Sequence, residues 1–239
     1  MDSGVTTIVV VTAAPFVGSF VGLLAHRLPA GEGWVLGRSR CRACGGVLAV
    51  RDLVPVLGWL VHGGRCRACA APVSPLYPLL ELAALGIACW AAWVLPAALL
   101  PFGCLLGWAL LALAAIDARH LLLPDGLTLP LIPLGLAQAP ERLVEHALGA
   151  VLGYLVFAAI AAAYRHLRGR DGLGLGDAKL LAAAGAWVSW SGLSSVVLIA
   201  AVSGLATAAV LGLSRRDRLA FGPHLCLGLW LVWLYGDIA

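Results

Sequence analysis

The stretch LYPLLELAALGIACWAAWVLPAALLPFGCLLGWALLALAAID, Leu76 to Asp117, decides how the rest of the chain is read. Glu81 and the closing Asp117 are its only charged residues. It divides at Leu95-Pro96 into two apolar runs, 76–95 and 97–116, each near the roughly 20 residues that a helix needs to cross a bilayer. A proline at the break predicts a helical hairpin whose solvent is lipid. The whole chain agrees. Of its 239 residues 62% are hydrophobic and 12% charged, and the mean hydropathy is +0.96. A soluble domain carries about a quarter charged residues. The fold class expected is therefore all-α, a polytopic membrane helix bundle. The net charge of +4, without any basic-aromatic patch, gives no reason to expect nucleic acid.

Working outward, eight apolar segments emerge: 5–25, 76–95, 97–116, 126–139, 147–164, 179–190, 193–213 and 222–236. The segments 126–139 and 179–190 are short for straight spans, and six full spans with re-entrant pieces is the alternative count. Charge favours eight. One alternating set of loops (26–75, 117–125, 165–178 with Lys179, and 214–221) holds fifteen of the sixteen Lys and Arg residues, and Arg142 alone falls in the other set. Basic loops stay in the cytoplasm. Met1 to Ser19 lacks the basic start of a cleavable signal peptide, so the first segment reads as a span. Three regions follow: a first transmembrane span at 1–25, a cytoplasmic loop at 26–75, and a membrane-embedded domain at 76–239.

The 26–75 loop holds CRAC twice, as Cys41-Arg-Ala-Cys44 and Cys66-Arg-Ala-Cys69. Two Cys-x2-Cys pairs about twenty residues apart are a zinc pattern, since each pair offers two thiolates on one turn and two turns complete a tetrahedron. A disulfide staple or a redox pair would need an oxidising or exchange role, and charge places this loop in the reducing cytoplasm. Four closed ligands leave no open position, so Zn²⁺ is expected to be structural; His62 could only compete with them. Cys89, Cys104 and Cys226 lie singly in apolar runs and are expected to be small buried hydrophobes.

Acids beside membrane spans are functional candidates by default. Asp117 ends the third segment, and Asp177 precedes the sixth in GLGLGDAKLL, Gly172 to Leu181. Under the eight-span topology both lie at the cytoplasmic surface. Two carboxyls at one depth can share a proton: one activates water while the other polarises a carbonyl, which hydrolyses a peptide bond without metal. Gly174 and Gly176 would let backbone or substrate come close. The competing reading is charges snorkelled to the boundary. Ion pairs of Asp177 with Lys179, or Asp117 with Arg119, are poor on a helix because neighbours two apart do not face each other. Asp125, after Pro124, reads as an N-cap of the fourth segment. Glu81, inside the second, is a supporting candidate.

These residues resemble the type IV prepilin peptidases, membrane aspartic proteases of GxGD type. Gly174-Leu175-Gly176-Asp177 with Lys179 is similar to the family's GxGDxK. Asp117 followed by Leu123-Pro124-Asp125 is similar to its first aspartate motif. Pro15 to Pro29, the two CRAC units, Tyr77-Pro78-Leu79-Leu80-Glu81 and Phe221-Gly222-Pro223 follow in the family's order. The resemblance implies a bifunctional enzyme of the bacterial inner membrane with its active site facing the cytoplasm. It would cut the leader of type IV prepilins or type II secretion pseudopilins, then N-methylate the new terminus with S-adenosylmethionine. It implies Asp117 and Asp177 as the catalytic pair and Cys41, Cys44, Cys66 and Cys69 as the metal site. Where the family often has asparagine, this loop reads Asp52-Leu53-Val54-Pro55, and its CRAC has arginine where proline is common; both departures touch the part associated with methylation. A proton-coupled membrane transporter using the same acids, or a membrane thiol oxidoreductase using the cysteines, are the alternatives.

Overall fold

The structure is a computed structural model that describes residues 3–33, 38–168, 174–214 and 217–236. Gly172 and Leu173 of the glycine-rich stretch, with Arg170, Arg215 and Arg216 of the basic loops, lie outside the described residues. All eight apolar segments are helical. They form α1 (Ser3–Arg27), α3 (Leu76–Val94), α4 (Leu100–His120), α5 (Asp125–Ala137), α6 (Leu143–Arg168), α7 (Leu175–Val188), α8 (Leu193–Val210) and α9 (Gly222–Tyr235). The ninth helix, α2 (Leu57–Val61), is a single turn within the cysteine loop. Among the described residues no strand forms; two isolated bridges, Arg40 with Val47 and Arg65 with Pro72, are the only extended pairings. α1, α3, α4, α6 and α8 are long and apolar enough to cross a membrane. α5, α7 and α9 have 13, 14 and 14 residues, or about 20 Å of helix against a hydrocarbon core of about 30 Å.

The chain divides into two compact units, Met1–Ala112 and Leu113–Ala239. In the first, α1 lies against α3 at glycines. A Cβ on Gly18 would stand 2.5 Å from the Cα of Glu81, and one on Gly22 would stand 2.8 Å from the Tyr77 ring. Close backbone approach of this kind replaces hydrophobic driving force where the solvent is itself apolar. The Trp108 Nε1–H donates to the Ala84 carbonyl at 3.0 Å, tying the middle of α4 to α3. Cys104 is buried, as expected, whereas Cys89 is exposed on α3. In a bilayer a thiol can face lipid as readily as protein, so apolar surroundings in sequence do not decide between the two.

The second unit is built around α7. Ala178 and every residue from Leu180 to Trp187 are buried, so this helix is apolar on all sides because it has neighbours on all sides. α6 crosses it at Gly149 and Gly185, where a Cβ on Gly149 would stand 2.6 Å from the Gly185 carbonyl. α5 meets it at Gly135, beside Ala186 and Trp187. The last carbonyls of α7 have no partner within the helix, and the buried ones need donors from neighbouring elements. Two side chains supply the donors: His146 Nδ1 to Ala186 O at 2.9 Å, and Gln138 Nε2 to Trp187 O at 3.2 Å.

Candidate active site and metal centre

Asp117 sits in the last turn of α4, buried. The helix ends three residues later at His120, and the next residue, Leu121, adopts φ 51°, the left-handed region. A branched residue there costs about 1–2 kcal/mol. The turn sends Leu121 to Pro124 back along a cavity of about 430 Å³, and α5 begins at its rim with Asp125. On the far wall, α7 starts at Leu175 with Gly174 as its extended N-cap, and Asp177 lies in the first turn. Both aspartates line the cavity, with Gly174, Gly176, Asp125 and Lys179.

Each carboxylate is held by one glycine amide. Gly174 N–H donates to Asp177 Oδ2 at 3.2 Å, a bond within three residues. Gly222 N–H donates to Asp117 Oδ2 at 2.9 Å, from a residue 105 positions away. Gly222 is the first residue of α9, so its amide is one of the unpaired donors at a helix N-terminus. A carboxylate there is also favoured by the helix dipole. A Cβ on Gly222 would stand 2.6 Å from Asp117 Oδ2, so any larger residue there would push the carboxylate out of place. Gly176 has a related role: a Cβ there would stand 3.1 Å from the Leu123 Cβ, so this glycine lets the first turn of α7 approach the protein's own connecting strand.

One sequence expectation changes. The N-cap of α5 is Pro124, not Asp125, because Asp125 is already helical and its side chain points to another partner. Lys179 Nζ lies 2.7 and 2.8 Å from the two oxygens of Asp125, so the lysine bridges α7 to α5 across the rim of the cavity. The unfavourable Asp177–Lys179 spacing was the clue that this lysine belonged elsewhere. Glu81 is buried in α3, where its Oε2 accepts the Val56 N–H at 2.6 Å. Val56 has φ 61° and ψ −52°, and Leu57 N–H donates back to Pro55 O at 2.6 Å, a strained γ-turn. Glu81 thus anchors the cysteine loop to its own helix. The sequence reading gave no role to Gly222; a Gly-Pro pair opening a span, with one free amide at N1, was the available signal.

The four expected cysteines converge. Their sulfurs all lie within 4.8 Å of one another. Cys41 and Cys69 Sγ are 3.8 Å apart, too far for a disulfide at about 2.05 Å. About 3.8 Å is also the edge of a tetrahedron with metal–sulfur bonds of about 2.3 Å. The two knuckles are near copies. Cys41 N–H donates to Gly46 O and Gly45 N–H to Cys41 O; Cys66 N–H donates to Ala71 O and Ala70 N–H to Cys66 O. Amides of Cys44 and Ala43 pull the Cys41 thiol down to about 6. Cys69 goes the other way, up to about 12: the Ala71 amide favours its thiolate, but desolvation and hydrogen bonding with the other three sulfurs outweigh it. A cation would remove that mutual opposition. His62 is not a ligand; its Nε2 lies 3.2 Å from Asp52 Oδ1.

Comparison with known proteins gives the same outline. Residues 12–95 match the bacterial peptidase A24 N-terminal domain, and residues 104–209 match the type IV leader peptidase family. A prepilin leader peptidase/N-methyltransferase of Burkholderia pseudomallei is 38% identical, over 89% of this chain and 80% of its own length. Its namesake in Klebsiella pneumoniae is 42% identical over 77% of this chain and 85% of its own length. That of Pseudomonas aeruginosa is 35% identical over 92% and 87%. No solved structure matches. Identity at this level across most of each relative places the chain in the type IV leader peptidase family.

Proposed function

We propose that this chain removes the leader peptide of type IV prepilins or type II secretion pseudopilins, with Asp117 and Asp177 as the catalytic pair. The observation that carries the reading is that both carboxylates line one cavity, each with Oδ2 held by a glycine amide. In the hydrolytic step the ionised carboxylate takes a proton from water, whose oxygen attacks the scissile carbonyl carbon. The protonated one donates its hydrogen bond to the carbonyl oxygen. Collapse of the tetrahedral diol breaks the C–N bond, and the departing amine takes up a proton. Such a pair works only while it holds one proton, so the rate should be bell-shaped in pH. Lys179 and Asp125 brace the cavity rim, and Glu81 braces the loop rather than the chemistry.

All eight apolar helices would cross the inner membrane, the three short ones tolerated where the bilayer thins or neighbours cover their ends. The fifteen basic residues would then face the cytoplasm, as would the cavity. Regions 1–25, 26–75 and 76–239 would serve as first span, cytoplasmic loop and membrane peptidase. The tetracysteine cluster would hold Zn²⁺ as a closed structural site, because sulfur ligands at tetrahedral spacing suit that ion. The relatives' name also carries methyl transfer, here to the new N-terminal amine from S-adenosylmethionine. The aspartate cavity offers that donor carboxylates and one ion-paired lysine, with no aromatic face for an adenine. It does not fit the donor.

The test is mass spectrometry of a prepilin incubated with reconstituted enzyme, with and without methyl donor. A product cut at the leader junction, lost in Asp117→Asn and Asp177→Asn, is expected. Intact prepilin, alongside proton or solute flux into liposomes, would replace this reading with that of a transporter.

A further inference from the structure

The cysteine loop carries an apolar surface that nothing in its own fold covers. On α2, Leu57, Leu60 and Val61 occupy one stripe at helical spacing and are 60%, 58% and 77% exposed. Val50, Leu53 and Val54, in the 3₁₀ turn just before, are exposed too. Elsewhere in a soluble domain such side chains would turn inward. Here the inward side is already taken. A Cβ on Gly58 would stand 2.6 Å from the Asp52 carbonyl, and Trp59 Nε1–H donates to Val73 O at 3.0 Å. The Trp59 ring lies over Gly64. Asp52 is likewise turned in, to His62 and to Arg67 at 3.8 Å. The metal knuckles and these contacts fix the stripe outward.

Three facts indicate what covers it. The loop leaves α1 and returns to α3, both helices long and apolar enough to span, so both of its ends are tied to the bilayer surface. The exposed apolar face of α3 begins directly after the loop, at Leu79 and Leu82. The loop also carries seven arginines against Glu32 and Asp52, and Arg51, which is exposed, directly follows Val50 in the chain. An apolar stripe edged by cations is the pattern of a segment lying in the interface of an anionic membrane.

We infer that the face formed by Val50, Leu53, Val54, Leu57, Leu60 and Val61 rests in the lipid headgroup region, with the arginines on anionic headgroups. The loop is then a second membrane-contacting element, held flat against the bilayer. The inference depends on α1 and α3 crossing the membrane and is independent of the aspartate chemistry.

The test places the photocrosslinker p-benzoylphenylalanine at Leu60 or Val61 in the full chain, reconstituted in phosphatidylethanolamine–phosphatidylglycerol vesicles. Mass spectrometry identifies the adducts. A probe at Glu32, an exposed polar position of the same loop, is the reference. Phospholipid adducts several-fold above that reference are expected, falling when phosphatidylcholine replaces the anionic lipid and in an Arg51→Gln background. Adducts to peptides of the same chain, adducts only to an added prepilin, or a yield equal to that at Glu32 would overturn the inference. Bound metal measured on each variant separates a docked loop from a collapsed one: loss of lipid adducts with metal retained counts against the proposal.

Discussion

The cysteine loop is made from two copies of one local turn, whereas the aspartate cavity is assembled from the ends of three helices that share no motif. In the loop, each knuckle closes within six residues, and the same backbone bonds recur from Cys41 to Gly46 and from Cys66 to Ala71. In the cavity, one carboxylate is held locally, Asp177 by Gly174, and the other from across the sequence, Asp117 by Gly222. Local redundancy makes the loop tolerant in its details, with its fold tied to whatever ion the four cysteines could hold. Non-local assembly makes the cavity intolerant of small displacements.

The largest expected effect separates the two regions outright. Asp117→Asn or Asp177→Asn keeps side-chain shape and removes the ability to share a proton. Cleavage should fall on the order of 10³-fold, the upper part of what general acid–base groups contribute, with the helical content and melting behaviour retained. Retention of cleavage within about tenfold in either variant would remove the two-acid pair from the chemistry.

Next comes a contrast inside the cavity. Gly222→Ala forces a methyl onto Asp117 Oδ2, so the carboxylate must shift; misplacement of about 1 Å can cost roughly 10²-fold. Gly174→Ala leaves its amide in place, and its Cβ would stand 3.5 Å from Asp177 Oδ2, an ordinary contact. Its φ of −76° suits any residue. The weaker N-cap should cost only severalfold in rate, about 1 kcal/mol or less. Equal losses in the two variants would mean that the long-range amide is no more demanding than the local one.

Legibility in the sequence followed the same division. The paired CRAC units announced a four-cysteine cluster because every cysteine's position is set by its immediate neighbours. The eight helices were visible as apolar runs, and their ends at Pro96 and Gly192 as turn residues. What could not be seen was partnership across the bundle. Asp125 looked like a cap because Pro124 precedes it, and only the fold shows Lys179 reaching it over 54 residues. Gly222 looked like a helix start, which it is, and its amide gained a partner only when α9 met the end of α4. Cys89 shows the limit from another side: lipid and protein interior are both apolar, so composition cannot tell which of them a membrane side chain faces.

Cys66→Ser tests the loop at a smaller scale of activity. It removes the buried member of the four ligands, and an incomplete thiolate set should lose bound metal. Limited proteolysis within 38–75 should accelerate, since a structural site supplies folding free energy to its loop. Cleavage of prepilin should fall less than about tenfold, because a closed site of four thiolates holds no reacting atom. A fall as deep as that of the aspartate variants would make the metal centre part of the peptidase.

The smallest effect lies at the first of the two positions where the knuckles, CRACGG and CRACAA, differ. Both put the residue after the second cysteine in the left-handed region, at φ 69° for Gly45 and φ 57° for Ala70. A Cβ on Gly45 would meet nothing within 4 Å, so the consequence of Gly45→Ala is purely conformational. It should cost about 1 kcal/mol, seen as roughly fivefold weaker metal binding in competition with a chromophoric chelator. Ala70→Gly relieves the same strain but gives the unfolded chain more freedom, which removes about half of the gain. Its affinity should therefore rise only about twofold. The exchanged pair, Gly45→Ala with Ala70→Gly, should lie between the single variants. If the knuckles are copies, the strain moves from one to the other; if Gly45→Ala alone leaves affinity unchanged, they are alike in hydrogen bonding but not in energy.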